Sequence, residues 1–376
     1  MKILIIGGYG NFGRRLVESL LAHYDYELII GGRSSEKASS AQLNAKQKYG
    51  KHIEIVILDV ERDDLREIFD RLSPNIVVNA SGPFQFQRRP GANYRIARAC
   101  IEAGCHYVDL ADDRAFVTGF GDALDLPAKA EKVMLVSGAS TVPGLSCAVV
   151  DEFISEFSEL TSIYHGIAPG NQSEKGVATV ASILSYTGKP FPVLENGREQ
   201  LAYGWQQLAR YDFGAPLGKR WLANCNIPDL SLLPVRYPSL QSVRFQASLE
   251  LPLLHMSIWF LSGLVRLGLI RNLASYAYLL SRLSDKFLAW GSGNGGMFVQ
   301  LRGKDKRGNP KRLDWQLVAE EGTGPNVPTI AAELIINRIA KDDMVHGAMP
   351  CMGLFTLPEF FAIANRWGIV QRSMLT

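Results

Sequence analysis

The chain has 376 residues, 47% of them hydrophobic and 20% charged, with a formal net charge of +3. That length exceeds one ordinary doubly wound domain and predicts two, while so small a charge without a Lys/Arg-rich block gives no case for nucleic acid. Five scattered cysteines (Cys100, Cys105, Cys147, Cys225, Cys351) lack any C-x-x-C pair and the six histidines lack metal-like spacing, which argues against a disulfide framework or a metal site and fits reduced thiols in a cytoplasm.

From the first residues the chain reads as strand, glycine-rich turn and helix. Lys2 to Ile6 form an apolar strand, which leaves no room for a cleavable signal peptide, and Gly8-Tyr9-Gly10-Asn11-Phe12-Gly13 fits a G-x-G-x-x-G turn. Gly8 is wanted for the tight turn, Gly10 for close backbone approach to a pyrophosphate, and Gly13 so that the helix can lie against the strand. Helix spacing follows in Leu16, Leu20 and Leu21, so its free N–H groups face an anion. A second strand, Glu27 to Ile30, ends in Gly31-Gly32-Arg33-Ser34 with no carboxylate to accept from a ribose 2′-hydroxyl. Arg33 offers a planar fork of donors and Ser34 a hydroxyl, a pair suited to a 2′-phosphate, so NADP is favoured over NAD. An ordinary solvated arginine is the alternative.

Further strands are expected at Ile53 to Leu58, Ile76 to Asn79, Tyr107 to Leu110 and Val133 to Ser137, separated by helical segments such as Leu65 to Leu72. Such alternation builds a parallel sheet with helices on both faces, and ligands lie outside the carboxyl ends of its strands. Asp59 and Val60 sit where the third strand would point to the adenine, although a carboxylate there is often a turn former. After the fourth strand the backbone of Ala80, Ser81, Gly82 and Pro83 suits a nicotinamide ribose, since the first three are small and permit close approach, with Phe84 walling the ring. After the fifth, Tyr107 and Asp109 share a strand face and are the best proton donor or orienting groups; core packing and turn capping are the alternatives.

Beyond about residue 150 the pattern becomes mixed. Thr161 to Ala168 reads as a strand, and Met297 to Arg302 with Leu313 to Val318 read as a hairpin around the turn-rich 303–310. Helices are expected at Thr329 to Ile339 and Leu357 to Trp367. Residues 251–281 carry uncharged runs shorter than the roughly 20 apolar residues that span a bilayer. They are read as buried or dimer-forming helices, or as a lipid-facing surface with Arg266, Arg271 and Arg282 reaching toward headgroups.

Three segments, Asn79-Ala-Ser-Gly-Pro-Phe84, Ala99 to Leu110 and Val136 to Gly144, with the opening turn and Gly347-Ala-Met-Pro-Cys351, resemble the saccharopine dehydrogenase-like oxidoreductases. The resemblance implies a doubly wound Rossmann domain (1–148), an α+β substrate and dimerisation domain (149–324), and a C-terminal segment (325–376) packing back on the first. It also implies NAD(P)-dependent hydride chemistry in a homodimer. Members named for saccharopine carry an Asp-Pro-Gly followed by Asp-His after the sixth strand, whereas this chain has Val142-Pro143-Gly144-Leu145-Ser146-Cys147. For a substrate of two joined amino acids the only nearby cationic cluster is Arg88-Arg89 with Arg95. The leading reading is therefore an NADP-dependent oxidoreductase acting on a C=N or C=O group of a small amino-acid-derived metabolite. The alternatives are a reductase for a lipid-like or polyketide-like substrate at a membrane surface, and a non-catalytic NADP-binding module.

Overall fold

The computed structural model describes residues 1–86, 94–174 and 176–376. In chain order the first elements are β1 (Lys2–Ile6), α1 (Asn11–His23), β2 (Glu27–Gly32), α2 (Ser35–Tyr49), β3 (Glu54–Ile57), α3 (Leu65–Leu72), β4 (Ile76–Asn79), α4 (Arg95–Glu102), β5 (His106–Asp109), α5 (Arg114–Thr118), α6 (Phe120–Ala130) and β6 (Met134–Ser137). There follow α7 (Ser146–Phe153), β7 (Glu159–Ala168), α8 (Val177–Tyr186), β8 (Pro190–Glu195), β9 (Arg198–Tyr203), β10 (Ala209–Asp212), β11 (Lys219–Asn224), α9 (Asp229–Arg236), β12 (Ser242–Ala247), α10 (Pro252–Arg266) and α11 (Ala277–Asp285). The last are β13 (Gly295–Lys304), β14 (Pro310–Ala319), α12 (Val327–Ala340), β15 (Gly347–Pro350), α13 (Leu357–Ala364) and β16 (Val370–Leu375). They fall into two compact units, Met1–Gly144 with Asn326–Phe355, and Leu145–Pro325 with Thr356–Thr376.

The first unit holds a seven-stranded sheet in the order β15-β6-β5-β4-β1-β2-β3. Every neighbouring pair in it is parallel. Its strands are short and apolar because both faces are covered: Ile3, Leu4, Ile5, Ile76, Val77 and Val78 are fully buried. Helix α1 turns Leu16, Val17, Leu20 and Leu21 inward at helical spacing. The chain winds one way from β1 to β3 and the other from β4 to β6, so the carboxyl ends of β1 and β4 flank the crevice where such sheets bind ligands. Residues 347–350, for which the sequence shows no strand signal, form the edge strand β15, with Gly347 opposite Met134. Helix α12 is fastened to α1 by Glu333, which is 1% exposed and accepts from the Ser19 and Tyr24 hydroxyls at 2.6 and 2.8 Å. Two donors satisfy that buried carboxylate.

The C-terminal segment expected to return in one piece is divided. Asn326–Phe355 rejoins the first unit, whereas Thr356–Thr376 stays in the second because β16 pairs with β14, Trp315 lying opposite Ser373.

The second unit is a seven-stranded sheet in the order β10-β11-β12-β7-β13-β14-β16 with a separate ribbon of β8 and β9. All its sheet pairings are antiparallel except β12 with β7. The expected hairpin is β13 and β14, registered Met297 to Leu317. Helix α10 is unusual: of its fifteen residues only His255 and Ser262 are buried. The Ser262 hydroxyl donates to the Gly204 carbonyl at 2.7 Å, and the His255 Nδ1 accepts from the Leu249 N–H at 3.2 Å. The polar side chains thus face inward and Leu253, Trp259 and Phe260 outward.

Candidate cofactor site

The turn after β1 closes through two backbone bonds, from the Gly7 N–H to the Gly31 carbonyl and from the Gly10 N–H to the Gly7 carbonyl, each 2.8 Å. The left-handed residue is Gly7, at φ +81°, and not Gly8, where the sequence reading put the tight turn. A Cβ on Gly7 would lie 3.0 Å from the carbonyl carbon and oxygen of Ala80, so this glycine lets the turns after β1 and β4 meet. Gly8 is needed for a different reason, because its Cβ would stand 2.7 Å from the Ile30 Cγ2 on β2. On Gly13 it would be 2.2 Å from the Gly7 carbonyl oxygen, as expected for a helix lying against its strand. Helix α1 starts at Asn11 with Gly10 as N-cap and no side-chain cap. A helix start of this kind, without a side-chain cap and with the positive end of its dipole at the turn, suits an anion. The Asn11 side chain is held by Arg15, whose Nη1 donates to Oδ1 at 2.7 Å, and Phe12 occupies the next position of the first turn.

At the end of β2 the Tyr9 hydroxyl accepts from the Ser34 N–H at 2.9 Å, and a Cβ on Gly32 would collide with it at 2.4 Å. Tyr9 therefore braces the glycine turn against the Arg33–Ser34 corner. The Ser34 hydroxyl caps α2 by accepting from the Lys37 N–H at 3.3 Å, which leaves its own proton for another acceptor. Arg33 is exposed, and no side chain or carbonyl among the described residues bonds to it. Asp59, expected beside the adenine, also shapes its own turn. Its Oδ1 accepts from the Glu61 N–H at 3.0 Å, and its own N–H donates to Asp63 at 2.7 Å, so it shapes the turn that also carries Val60.

After β4, Asn79 organises the loop. It is fully buried; its Oδ1 accepts from the Ser81 N–H and hydroxyl at 3.0 and 2.6 Å, while its Nδ2 donates to the Tyr107 hydroxyl at 3.2 Å. Ala80 is tied to β1 through the Ile6 carbonyl at 2.9 Å, and Gly82 and Pro83 complete the loop. Phe84 does not wall a ring site. It is 4% exposed and packs in the core against Phe116, ring centroids 5.3 Å apart.

Tyr107 and Asp109 share a strand face as expected, but they are 1% and 0% exposed. Burial pushes the Tyr107 phenol well above its ordinary value. The Asp109 Oδ1 accepts from the N–H groups of Ala111 and Gly138 at 2.9 and 2.7 Å and from the Ser137 hydroxyl at 3.0 Å, which locks the ends of β5 and β6 together. Its Oδ2 is buried without a hydrogen-bond partner, and burial outweighs those donors to push the carboxyl up to about 6. Both side chains stand behind the loops and position them. Arg95 is likewise engaged, its guanidinium donating to the carbonyls of Glu61 and Asp63. Arg88 and Arg89 lie outside the described residues.

Sequence reasoning missed a buried polar group in the second unit. Ser146 donates to the Oδ2 of Asp229, and the His165 Nδ1 lies 3.6 Å from the same oxygen. All three are at most 1% exposed. Burial raises Asp229 to about 7 and lowers His165 to about 3, so the site holds a shared-polarity cluster with little charge. No spacing could reveal it, since Ser146, His165 and Asp229 come from α7, β7 and α9.

The model of the saccharopine dehydrogenase NADP binding domain family matches residues 3–135. No curated protein matches the sequence. Among solved structures the chain is similar to apo histidine-tagged saccharopine dehydrogenase (L-Glu forming) from Saccharomyces cerevisiae, at 12% identity and a TM-score of 0.68 over 100% of this chain and 99% of that one. A meso-dapdh mutant with DAP from Clostridium tetani aligns at 13% identity and a TM-score of 0.45, covering 96% and 95% of the two chains. At such identities the first likeness is one of fold.

Proposed function

With residues 3–135 a saccharopine dehydrogenase NADP binding domain, in a chain that shares the fold of a saccharopine dehydrogenase, we propose that the protein is an NADP-dependent oxidoreductase acting on a C=N or C=O group of a small amino-acid-derived metabolite. The observation that carries the proposal is the Gly7 to Gly13 turn, which brings the ends of β1 and β4 together beside an uncapped helix start. A diphosphate would be held by the backbone donors there, the nicotinamide ribose by the Ala80 to Pro83 loop, and a 2′-phosphate by Arg33 and Ser34. The fit at Arg33 rests on an exposed guanidinium and on the absence of any carboxylate among Gly31, Gly32, Ser34 and Ser35. When bound, NADP supplies or accepts a hydride at its nicotinamide ring. The chain's own part is to fix the loops around that ring, through Asn79 and Asp109, and to keep Tyr107 and Asp109 dry behind them.

Saccharopine itself is disfavoured as substrate because Val142, Ser146 and Cys147 replace the two acids and the histidine. Two measurements test the proposal together. Thermal-shift titration should show stabilisation by NADPH beyond that by NADH, and NADPH oxidation should appear within a panel of 2-oxo acids mixed with amino acids. No shift with either nucleotide discards the cofactor site. A shift without turnover across a broad panel discards the enzyme and leaves a binding module.

A further inference from the structure

We propose that the outward face of α10 and α11 docks the protein on an anionic lipid surface and admits an acyl chain into the cavity beneath it. The first observation is the inversion already described. In α10 the fully buried residues are His255 and Ser262, and in α11 they are Ala277 and Ser281; Ile258, Leu261, Val265 and Leu280 pack against Leu184 and Leu273, while Leu253, Trp259, Phe260, Tyr278, Leu279 and Leu283 are exposed. Phe260 is 60% exposed, Tyr278 62%, Leu279 55% and Trp290 69%, a density of exposed apolar surface that soluble monomers rarely carry without a partner. Aromatic rings of this kind sit at the level of lipid headgroups, apolar body inward and polar tip outward.

The second observation is a cavity of about 420 Å³ between α8, α10 and α11. Leu184, Trp205, Ile258, Leu261 and Phe287 line it, and its polar lining comes from serines alone. Leu253 and Leu283 belong both to this lining and to the exposed face, at 55% and 44% exposure, so the cavity opens on that face. A site without a charged group selects a hydrocarbon chain rather than a metabolite.

Charge selects the kind of surface. Between residues 251 and 291 stand Arg266, Arg271, Arg282 and Lys286 against the single acid Asp285, an excess as large as the +3 of the whole chain. All four cations are exposed, and Arg282 reaches the Tyr278 hydroxyl at 3.0 Å, beside the apolar patch. Clustered Lys and Arg flanking an apolar face are what an anionic leaflet attracts. The same cations disfavour a second copy as the cover, since a two-fold interface would set this cationic patch against itself. No helix among the described residues is long and apolar enough to cross a membrane, so the contact is peripheral.

Sedimentation of the full chain with vesicles tests the proposal. Binding is expected to mixed phosphatidylcholine and phosphatidylglycerol vesicles, to weaken with salt, and to be much weaker on phosphatidylcholine alone. Each exposed cation removed should cost about fivefold, so Arg271→Ala with Lys286→Ala lowers binding roughly 25-fold. Phe260→Ser with Trp290→Ser should abolish it, while both double variants keep the wild-type NADPH thermal shift and so report folded protein. Failure to sediment at low salt overturns the proposal, as does equal binding to both vesicle types. Self-association that the Phe260 and Trp290 substitutions abolish, without vesicle binding, would assign the face to a second copy instead.

Discussion

The substitution Asp109→Asn should make the protein more stable at neutral pH, not less. Asp109 is fully buried and its carboxyl is raised from 3.8 to about 6, chiefly by burial. A carboxyl whose folded value exceeds its unfolded one costs nothing while both states are protonated, then loses stability as pH rises between the two values. Two pK units correspond to about 3 kcal/mol, a loss complete above roughly pH 6. Asparagine is nearly isosteric and its Oδ1 can keep the bonds from Ala111, Ser137 and Gly138, while its Nδ2 takes the place of the Oδ2 that has no hydrogen-bond partner. The variant therefore mimics the protonated acid at every pH. Urea unfolding near pH 4 should give the two proteins similar stability, and near pH 8 the variant should gain up to about 3 kcal/mol. A variant less stable than the wild type by about 1 kcal/mol or more near pH 8 would refute the reasoning, because the ionised carboxylate would then be supported by something the site does not show. NADPH affinity should change little, since Asp109 lies behind the loops; loss of turnover with binding retained would instead return it to a direct role in proton transfer.

Arg33→Asp should weaken NADPH by roughly tenfold to a hundredfold, the worth of a charge-assisted contact, and leave NADH nearly unchanged; equal loss for both in a thermal-shift titration removes the 2′-phosphate role. Gly7→Ala places a side chain at φ +81° with the Ala80 backbone 3.0 Å away, so unfolding should show about 1–3 kcal/mol of destabilisation and NADPH affinity should fall with it. Unchanged stability would mean that the two turns do not meet there. Ser146→Ala removes the hydroxyl bonded to Asp229, whose value of about 7 keeps it protonated in acid. Its cost should accordingly be small near pH 5 and reach about 1–3 kcal/mol near pH 8, and a pH-independent loss would show that the hydroxyl supports packing rather than charge.

What the chain discloses in its residue order depends on whether the deciding contact is local. Strands β1, β2 and β4 and helix α1 were legible because apolar runs and the Leu16, Leu20, Leu21 spacing carry their own period. The glycine turn was legible as a turn, yet Gly7 and Gly8 are adjacent and both permissive. Only the approach of Ala80, more than seventy positions away, decides which takes the left-handed conformation. Tyr107 and Asp109 were placed on the right face by strand alternation, but their burial follows from Phe120 of α6, stacked 5.8 Å from Tyr107, and from the β6 end bonded to Asp109. Strands β9 and β16 were invisible for a simpler reason: the first is largely exposed and the second wholly so, and neither has the two-residue alternation of a half-buried strand. The uncharged run before Arg266 was ambiguous between core and surface because composition says how much apolar surface a helix has and not where it points. His255 and Ser262 resolve it. Once two polar side chains find their partners inward, at Leu249 and Gly204, helix geometry keeps Ile258, Leu261 and Val265 packed against Leu184 and Leu273 and turns Leu253, Trp259 and Phe260 outward, and core burial is not the reason those three are there.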